Sequence, residues 1–260
     1  MPNWTLITGA SEGLGVEFAR IAAAEGHDLI LTARSEDKLN ALAHELRSNN
    51  VQVEVIPVDL SDMAQVEKLW AQATEDRQVD VLVNNAGLGR HGQFGDGSDW
   101  ARELSSIQVN VLALSYLMKQ AIPHMQGAGG GKILNVASVA GFMPGPNMAT
   151  YHATKAYVLS LTEAVSEELS GGNVTVTALC PGATQTAFFD AADMGGVRLL
   201  KLNRPARADA VAQAGWNAMQ RGKRVIVPGL LNKFFAFSPR ISPRRMVTLI
   251  SSTVMGKAGV

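Results

Sequence analysis

Tyr151 and Lys155 stand four positions apart, and Ser138 precedes them by thirteen. On a helix, residues i and i+4 project from one face, so a phenol and an ammonium become neighbours. A phenol with its ordinary pKa of about 10 is a poor base at neutral pH. A positive charge beside it favours the phenolate and moves that pKa toward the working range. Tyr151 could then give a proton to a carbonyl oxygen or take one from an alcohol. Alone, a Tyr-x-x-x-Lys pair is commonplace and most often structural, so its meaning depends on what surrounds it.

A second group of residues suits an anion. Thr8-Gly9-Ala10-Ser11-Glu12-Gly13-Leu14-Gly15 follows a strand-like run and precedes an amphipathic stretch. Glycines there let the backbone turn tightly and approach a pyrophosphate, while the helix N-terminus offers free N–H groups and a partial positive charge. The spacing is not the usual G-x-G-x-x-G, so the place of the turn between the first strand and first helix carries the argument. The next strand ends Leu31-Thr32-Ala33-Arg34-Ser35. An NAD site usually places an acid at that strand end, on the ribose 2′-hydroxyl. Here Ala33 offers no carboxylate, and Arg34 can pair with a 2′-phosphate through two hydrogen bonds, helped by Ser35 and Lys38. The residues therefore favour NADP(H). NAD(H) stays open because Glu12, Glu36 and Asp37 lie close, and Arg34 could instead be a solvated side chain beside Glu36.

The elements that must position these groups alternate regularly. Strand-like runs fall at 3–8, 28–33, 51–56, 79–84, 132–137, 173–179 and 224–228, with helical stretches near 14–25, 36–48, 62–75, 99–126, 150–170 and 207–221. Several of the strands are continuous apolar runs, as suits strands covered on both faces. The pattern predicts a Rossmann-like α/β fold: a doubly wound, seven-stranded parallel sheet flanked by helices.

The T-G-x-x-x-G-x-G turn resembles that of the short-chain dehydrogenase/reductase family in its classical branch. Asp59 and Leu60 in VIPVDL, Asn84-Asn85-Ala86-Gly87, Ser138 with Tyr151 and Lys155, and Pro181-Gly182-x-x-x-Thr186 follow in that family's order and approximate spacing. The resemblance covers residues 5–186 and is specific to family, not to substrate. It implies an enzyme that transfers hydride directly between a nicotinamide and a carbon bearing oxygen, without a metal. It implies Asn110, Ser138, Tyr151 and Lys155 as the catalytic set. Ser138 would hydrogen-bond the substrate oxygen, Lys155 would also hold the nicotinamide ribose, and Asn110 would position a water behind the lysine. The resemblance assigns cofactor contacts to Gly9, Ser11, Gly13, Leu14 and Gly15 in the turn, and to Asp59 and Leu60 at the adenine. Asn85, Ala86 and Gly87 complete one side, with Pro181, Gly182 and Thr186 on the other.

The chain has 260 residues, 47% of them hydrophobic and 18% charged. That length suits one domain with a large core, and that composition excludes intrinsic disorder. One cysteine, Cys180, excludes a disulfide scaffold and reads as a small buried residue. The five histidines show no metal-ligand spacing, and His152 points off the tyrosine face. The expected division is a cofactor-binding and catalytic core over 1–186, a substrate lid over 187–205 with Gly195-Gly196 as a hinge, and a basic extension over 229–260. Two apolar segments should line the substrate site: Phe142, Met143, Pro144, Pro146 and Met148, then Phe188, Phe189, Met194, Leu199 and Leu200. They fit a hydrophobic carbonyl compound or alcohol. A 3-oxoacyl thioester, on acyl carrier protein or coenzyme A, is the alternative substrate. From another class, a catalytically silent NADP-binding scaffold is the alternative function.

The net charge of zero is a cancellation. Of 23 acidic residues, 22 precede Met194, whereas 12 of the 23 Lys and Arg follow it. The basic end could pack on acidic helices of its own chain or a partner subunit, close the pocket, lie on a membrane, or dock an acidic acyl carrier protein or the phosphates of a coenzyme A thioester. Nucleic acid is not an expected partner. A homodimer or homotetramer through helices 99–126 and 150–170 is implied by the family. No basic leader precedes the first strand, so a cytoplasmic location is expected.

Overall fold

In the computed structural model, residues 3–97, 100–198 and 204–256 are described. Among them are seven strands: β1 (Trp4–Thr8), β2 (Asp28–Thr32), β3 (Val53–Val55), β4 (Val79–Asn84), β5 (Gly131–Val136), β6 (Val174–Leu179) and β7 (Val225–Ile226). They form one sheet in the order β3-β2-β1-β4-β5-β6-β7, with every pair parallel. The helices are α1 (Leu14–Ala24), α2 (Glu36–Leu46), α3 (Met63–Thr74), α4 (Trp100–Ile107), α5 (Leu114–Gly127) and α6 (Ala149–Glu168). After β6 come α7 (Phe188–Ala191), α8 (Ala208–Gln220), α9 (Leu230–Phe237) and α10 (Arg244–Met255).

Successive residues of a strand point to opposite faces, so a sheet covered on both sides needs apolar residues at both parities. Ile7, Leu29, Leu31 and Val83 pack with α1, α2 and α8, whereas Leu6, Ile30, Leu82 and Ile133 pack with α3 and α5. That is why the strands read as continuous apolar runs. Trp216 of α8 is wholly buried, and its indole N–H donates to Glu25 Oε2 at 2.9 Å, so the polar tip is satisfied at the end of α1. A buried chain of amides fixes the centre of the sheet to α6. Asn84 Nδ2 donates to Asn135 Oδ1 at 3.0 Å, and Asn135 Nδ2 donates to Thr162 Oγ1 at 2.9 Å.

Two expectations change. The third strand ends at Val55, so Asp59 lies in the loop beyond it. The helical stretch 99–126 is two helices joined by a π turn over Gln108–Ala113. Its apolar pattern runs on without a break, so periodicity could not show the wider turn. The basic extension over 229–260 carries two helices, α9 and α10. No helix among the described residues is long and apolar enough to cross a membrane.

Candidate active site

Loops at the carboxyl ends of the strands enclose a cavity of about 760 Å³ beside the point where the strand order reverses, between β1 and β4. Open α/β sheets take their ligands at such reversals. Gly9, Ser11, Gly13 and Leu14 line it from the β1 turn, with Arg34 after β2 and Asp59 and Leu60 after β3. Asn85, Ala86 and Gly87 follow β4, and Pro181, Gly182 and Thr186 follow β6. Ser138, Tyr151 and Lys155 stand between these two groups. Two of the residues picked from the sequence, Gly15 and Asn110, lie behind the wall.

The β1 turn shows why. Gly13 caps α1 at φ 57°, and a Cβ there would sit 2.7 Å from Thr186 Cγ2. At Gly15 a Cβ would sit 2.1 Å from the Gly9 carbonyl oxygen, so this glycine lets the turn fold onto its own helix. Thr8 opens the turn motif and takes a structural role. Its hydroxyl accepts from the Asn85 and Ala86 N–H groups at 3.0 and 3.1 Å, and donates to Val83 O at 3.3 Å. Asn85 Nδ2 returns to Thr8 O and Gly9 O at 2.9 and 3.1 Å. One hydroxyl and one amide therefore stitch the β1 and β4 loops together. Asp59 Oδ1 accepts from Ser61 N at 2.9 Å and Ser61 Oγ at 2.8 Å, which holds its loop against the cavity.

At the far side of this end, Arg34 is exposed and pairs with no carboxylate among the described residues, Glu36 included. Lys38 is engaged differently: its ammonium pairs with Glu12 across the glycine turn. Glu12, the acid that complicated the cofactor reading, is thereby neutralised by a lysine.

Lys155 Nζ lies 5.8 Å from the centre of the Tyr151 ring, as the i, i+4 spacing requires. The ammonium donates to Val136 O at 2.7 Å. Ser138 Oγ accepts from Ala140 N at 3.1 Å, at the start of a 3₁₀ turn over Val139–Phe142. In the fold by itself, burial dominates the electrostatics of this pair. Burial pushes Tyr151 up to about 12, against a hydrogen bond with the Ser138 side chain, and burial brings Lys155 down to about 8. A closed apolar surround penalises phenolate and ammonium alike, and without a further positive charge that penalty wins.

Asn110 sits wholly buried on the π turn. It accepts from Leu88 N at 2.8 Å and donates to Leu88 O at 2.8 Å and Thr154 Oγ1 at 2.9 Å. Its amide thus clamps the β4 loop to α6, with both N–H donors engaged and one lone pair of Oδ1 occupied. A Cβ at Gly87 would sit 3.2 Å from Lys155 Nζ and 3.4 Å from Asn110 Oδ1, so that glycine keeps the space between lysine and loop open.

The other end of the cavity is made of side chains. Met143, Met148, Phe188, Phe189 and Met194 line it as expected. Phe142 instead packs with Leu114, Val158 and Cys180 in the core, and Pro144 and Pro146 are not in the wall. Leu199 and Leu200 lie outside the described residues. His152 Nδ1 is 2.9 Å from Met143 O, so this histidine fastens the loop that carries Met143 and Met148. Cys180 is wholly buried and burial pushes its thiol up to about 12, which leaves it inert.

The family model for short chain dehydrogenase matches residues 3–194. The chain belongs to the short-chain dehydrogenase/reductase family. Members are NAD(P)-dependent oxidoreductases of CH–OH and C=O groups. The chain is similar to a short-chain dehydrogenase from Sphingobium yanoikuyae solved with NADPH, at 32% identity and TM-score 0.82, over 100% of this chain and 99% of that one. The bulky-bulky ketone specific alcohol dehydrogenase from Comamonas testosteroni aligns at 30% identity and TM-score 0.78, over 88% and 87%. The ketoacyl reductase HetN from Nostoc sp. is 33% identical over 80% of this chain and 74% of its own length.

The family match of this short-chain dehydrogenase ends at 194, yet its cavity does not. Phe234 and Phe235 of α9 and Val247, Ser251 and Met255 of α10 complete the substrate wall. Met255 packs with Met148, Met194 and Val197, and its carbonyl oxygen lies 2.7 Å from His91 Nε2. No motif marks these residues, since α10 meets the site only through tertiary packing.

Proposed function

We propose that the protein is an NADPH-dependent reductase of a hydrophobic ketone or aldehyde. The observation that carries this reading is one continuous cavity with an unpaired guanidinium, Arg34, at one end and apolar side chains at the other. Tyr151 stands between them as an uncharged phenol. The chain's own residues fit a dinucleotide: the β1 turn and Asn85–Gly87 supply backbone along the cavity, and Arg34 suits a 2′-phosphate. When bound, the nicotinamide supplies hydride to the substrate carbon.

The remaining work falls to the side chains. Ser138 and Tyr151 orient the carbonyl oxygen, and Tyr151 gives its proton to that oxygen as negative charge develops there. A phenol held at about 12 stays protonated at neutral pH, the form that can give a proton to a carbonyl oxygen. Lys155 replenishes positive potential beside it, and Asn110 acts as a positioning residue through Leu88 and Thr154. The described part of the expected lid, 187–198, carries Phe188, Phe189 and Met194 of the cavity wall, and we assign it the covering of the substrate end. Exposed Trp100, Leu104, Leu112 and Tyr157 on α4, the π turn and α6 support a homo-oligomer built on that face.

A second reading, reduction of a 3-oxoacyl thioester, is supported by the Nostoc relative's name. NADPH oxidation against bulky ketones, steroid ketones and 3-oxoacyl thioesters, with NADH as control, tests both. Turnover of ketones with NADPH is the expected result. Exclusive turnover of thioesters would install the second reading, and a preference for NADH would remove Arg34 from its role.

A further inference from the structure

The basic end does not, for the most part, pack on acidic helices of its own chain. Arg224 pairs with Glu167 and Arg207 with Asp209, but Lys233, Arg240, Arg244 and Arg245 pair with no carboxylate among the described residues. The same stretch of chain carries exposed apolar side chains. On α9, Leu230, Phe234 and Phe237 recur at helical spacing on one side, and Leu230 is 84% exposed. On α10 the inward stripe is Val247, Ser251 and Met255, while Met246, Leu249 and Ile250 face out, Leu249 at 69% exposure. Ile241, between the two helices in sequence, is 74% exposed. A solvated helix carries polar residues on its outer face, and a patch of this size marks a surface made to be covered.

The occupant follows from charge. Residues 210–260 contain no acidic residue at all. A second copy docking through this face by a two-fold axis would set arginines against arginines with no carboxylate to meet them. An anionic bilayer meets both needs, since phosphates face the cations and acyl chains receive the Leu, Phe and Met side chains. We propose that α9 and α10 dock the protein, as a peripheral helix pair, on membranes rich in anionic phospholipid. Phe234 and Ile250 also line the cavity, so the docked face borders the entrance to the substrate end.

Sedimentation of the full chain with phosphatidylcholine vesicles, with and without phosphatidylglycerol, tests the proposal. The protein sediments with the anionic vesicles, releases at high salt, and stays in solution with the neutral ones. At about fivefold per cation, the combined R240Q/R244Q/R245Q variant partitions about a hundredfold less. A second variant, L230S/F237S/L249S, loses sedimentation while keeping its thermal melt and its mass on sizing. None of these six side chains lines the cavity. Failure to sediment with anionic vesicles overturns the proposal, and so does equal sedimentation of either variant. A lower mass for the serine variant overturns it in favour of a subunit contact. Retention of the parent by an acidic acyl carrier protein, without vesicle binding, overturns it in favour of carrier docking.

Discussion

The two ends of the cavity are built in opposite ways. The end proposed for the dinucleotide is lined by short loops after β1, β2, β3 and β4, locked by Thr8, Asn85 and Gly15. The substrate end is mostly side chains, gathered from residues 143–148, 188–194 and 234–255. Backbone contacts tolerate few changes, because a Cβ in the wrong place meets other main chain. Side-chain walls can be exchanged residue by residue with the scaffold intact. The contrast explains how a family can share a cofactor while differing in substrate. Tyr151 stands at the seam and belongs to both.

The largest effect should come from that seam. Tyr151→Phe removes the proton donor but little volume, so turnover falls about 10²- to 10⁴-fold while NADPH affinity by fluorescence titration stays within about twofold. Unchanged turnover would end the acid role. At the dinucleotide end, Gly15→Ala drives a methyl into the Gly9 carbonyl. The turn must open, and both NADPH affinity and melting temperature drop, with stability down by about 2 to 4 kcal/mol. A normal melt and normal NADPH binding would show that the turn is soft.

The buried lysine offers a pH test. Its ordinary value is 10.5, and it is about 8 in the fold. Between pH 8 and 10.5 the unfolded chain binds more protons at this site than the folded one, so folding stability rises with pH across that window. Lys155→Met abolishes the lysine's share of this rise, which denaturant melts at pH 7.5 and 9.5 should show. An identical slope in the variant would place the lysine in a wetter setting.

Arg34→Asp sharpens the comparison further, because it changes a side chain at the end proposed for the dinucleotide. The NADPH-over-NADH ratio of kcat/KM should fall about ten- to a hundredfold, the value of a charge-assisted hydrogen bond. The smallest effect is expected at the opposite end. Phe188→Ala, whose ring lies 5.2 Å from that of Tyr151, should alter KM for bulky ketones severalfold and leave NADPH affinity alone. A comparable loss of NADPH affinity would mean that the two ends are not separable.

Legibility in the sequence followed the same divide. The β1 turn, Asn84–Gly87, Ser138 with Tyr151 and Lys155, and Pro181–Thr186 are compact motifs, each confined to one turn, and all were readable. Asp59 was readable from VIPVDL, although β3 ends at Val55 and only isolated bonds, Ile56 N to Leu31 O and Val58 N to Ala33 O, continue beside the second strand. The π turn that aims Asn110 at Leu88 leaves no mark in a run of apolar residues. Phe142 looked like a pocket residue by position but turned to the core, a choice set by neighbours on α5, α6 and β6.

By itself the sequence determined the alternation of strands and helices, the parallel sheet and the grouping of phenol, ammonium and glycine turn. These follow from local periodicity and from spacings within one turn of chain, which every residue carries with it. Tertiary structure alone decided the sign of the Tyr151 and Lys155 shifts, since burial depends on what distant segments cover. It also decided that α10 walls the substrate end and that Lys38 is spent on Glu12. Contacts between segments tens of residues apart depend on packing, and packing has no period to read.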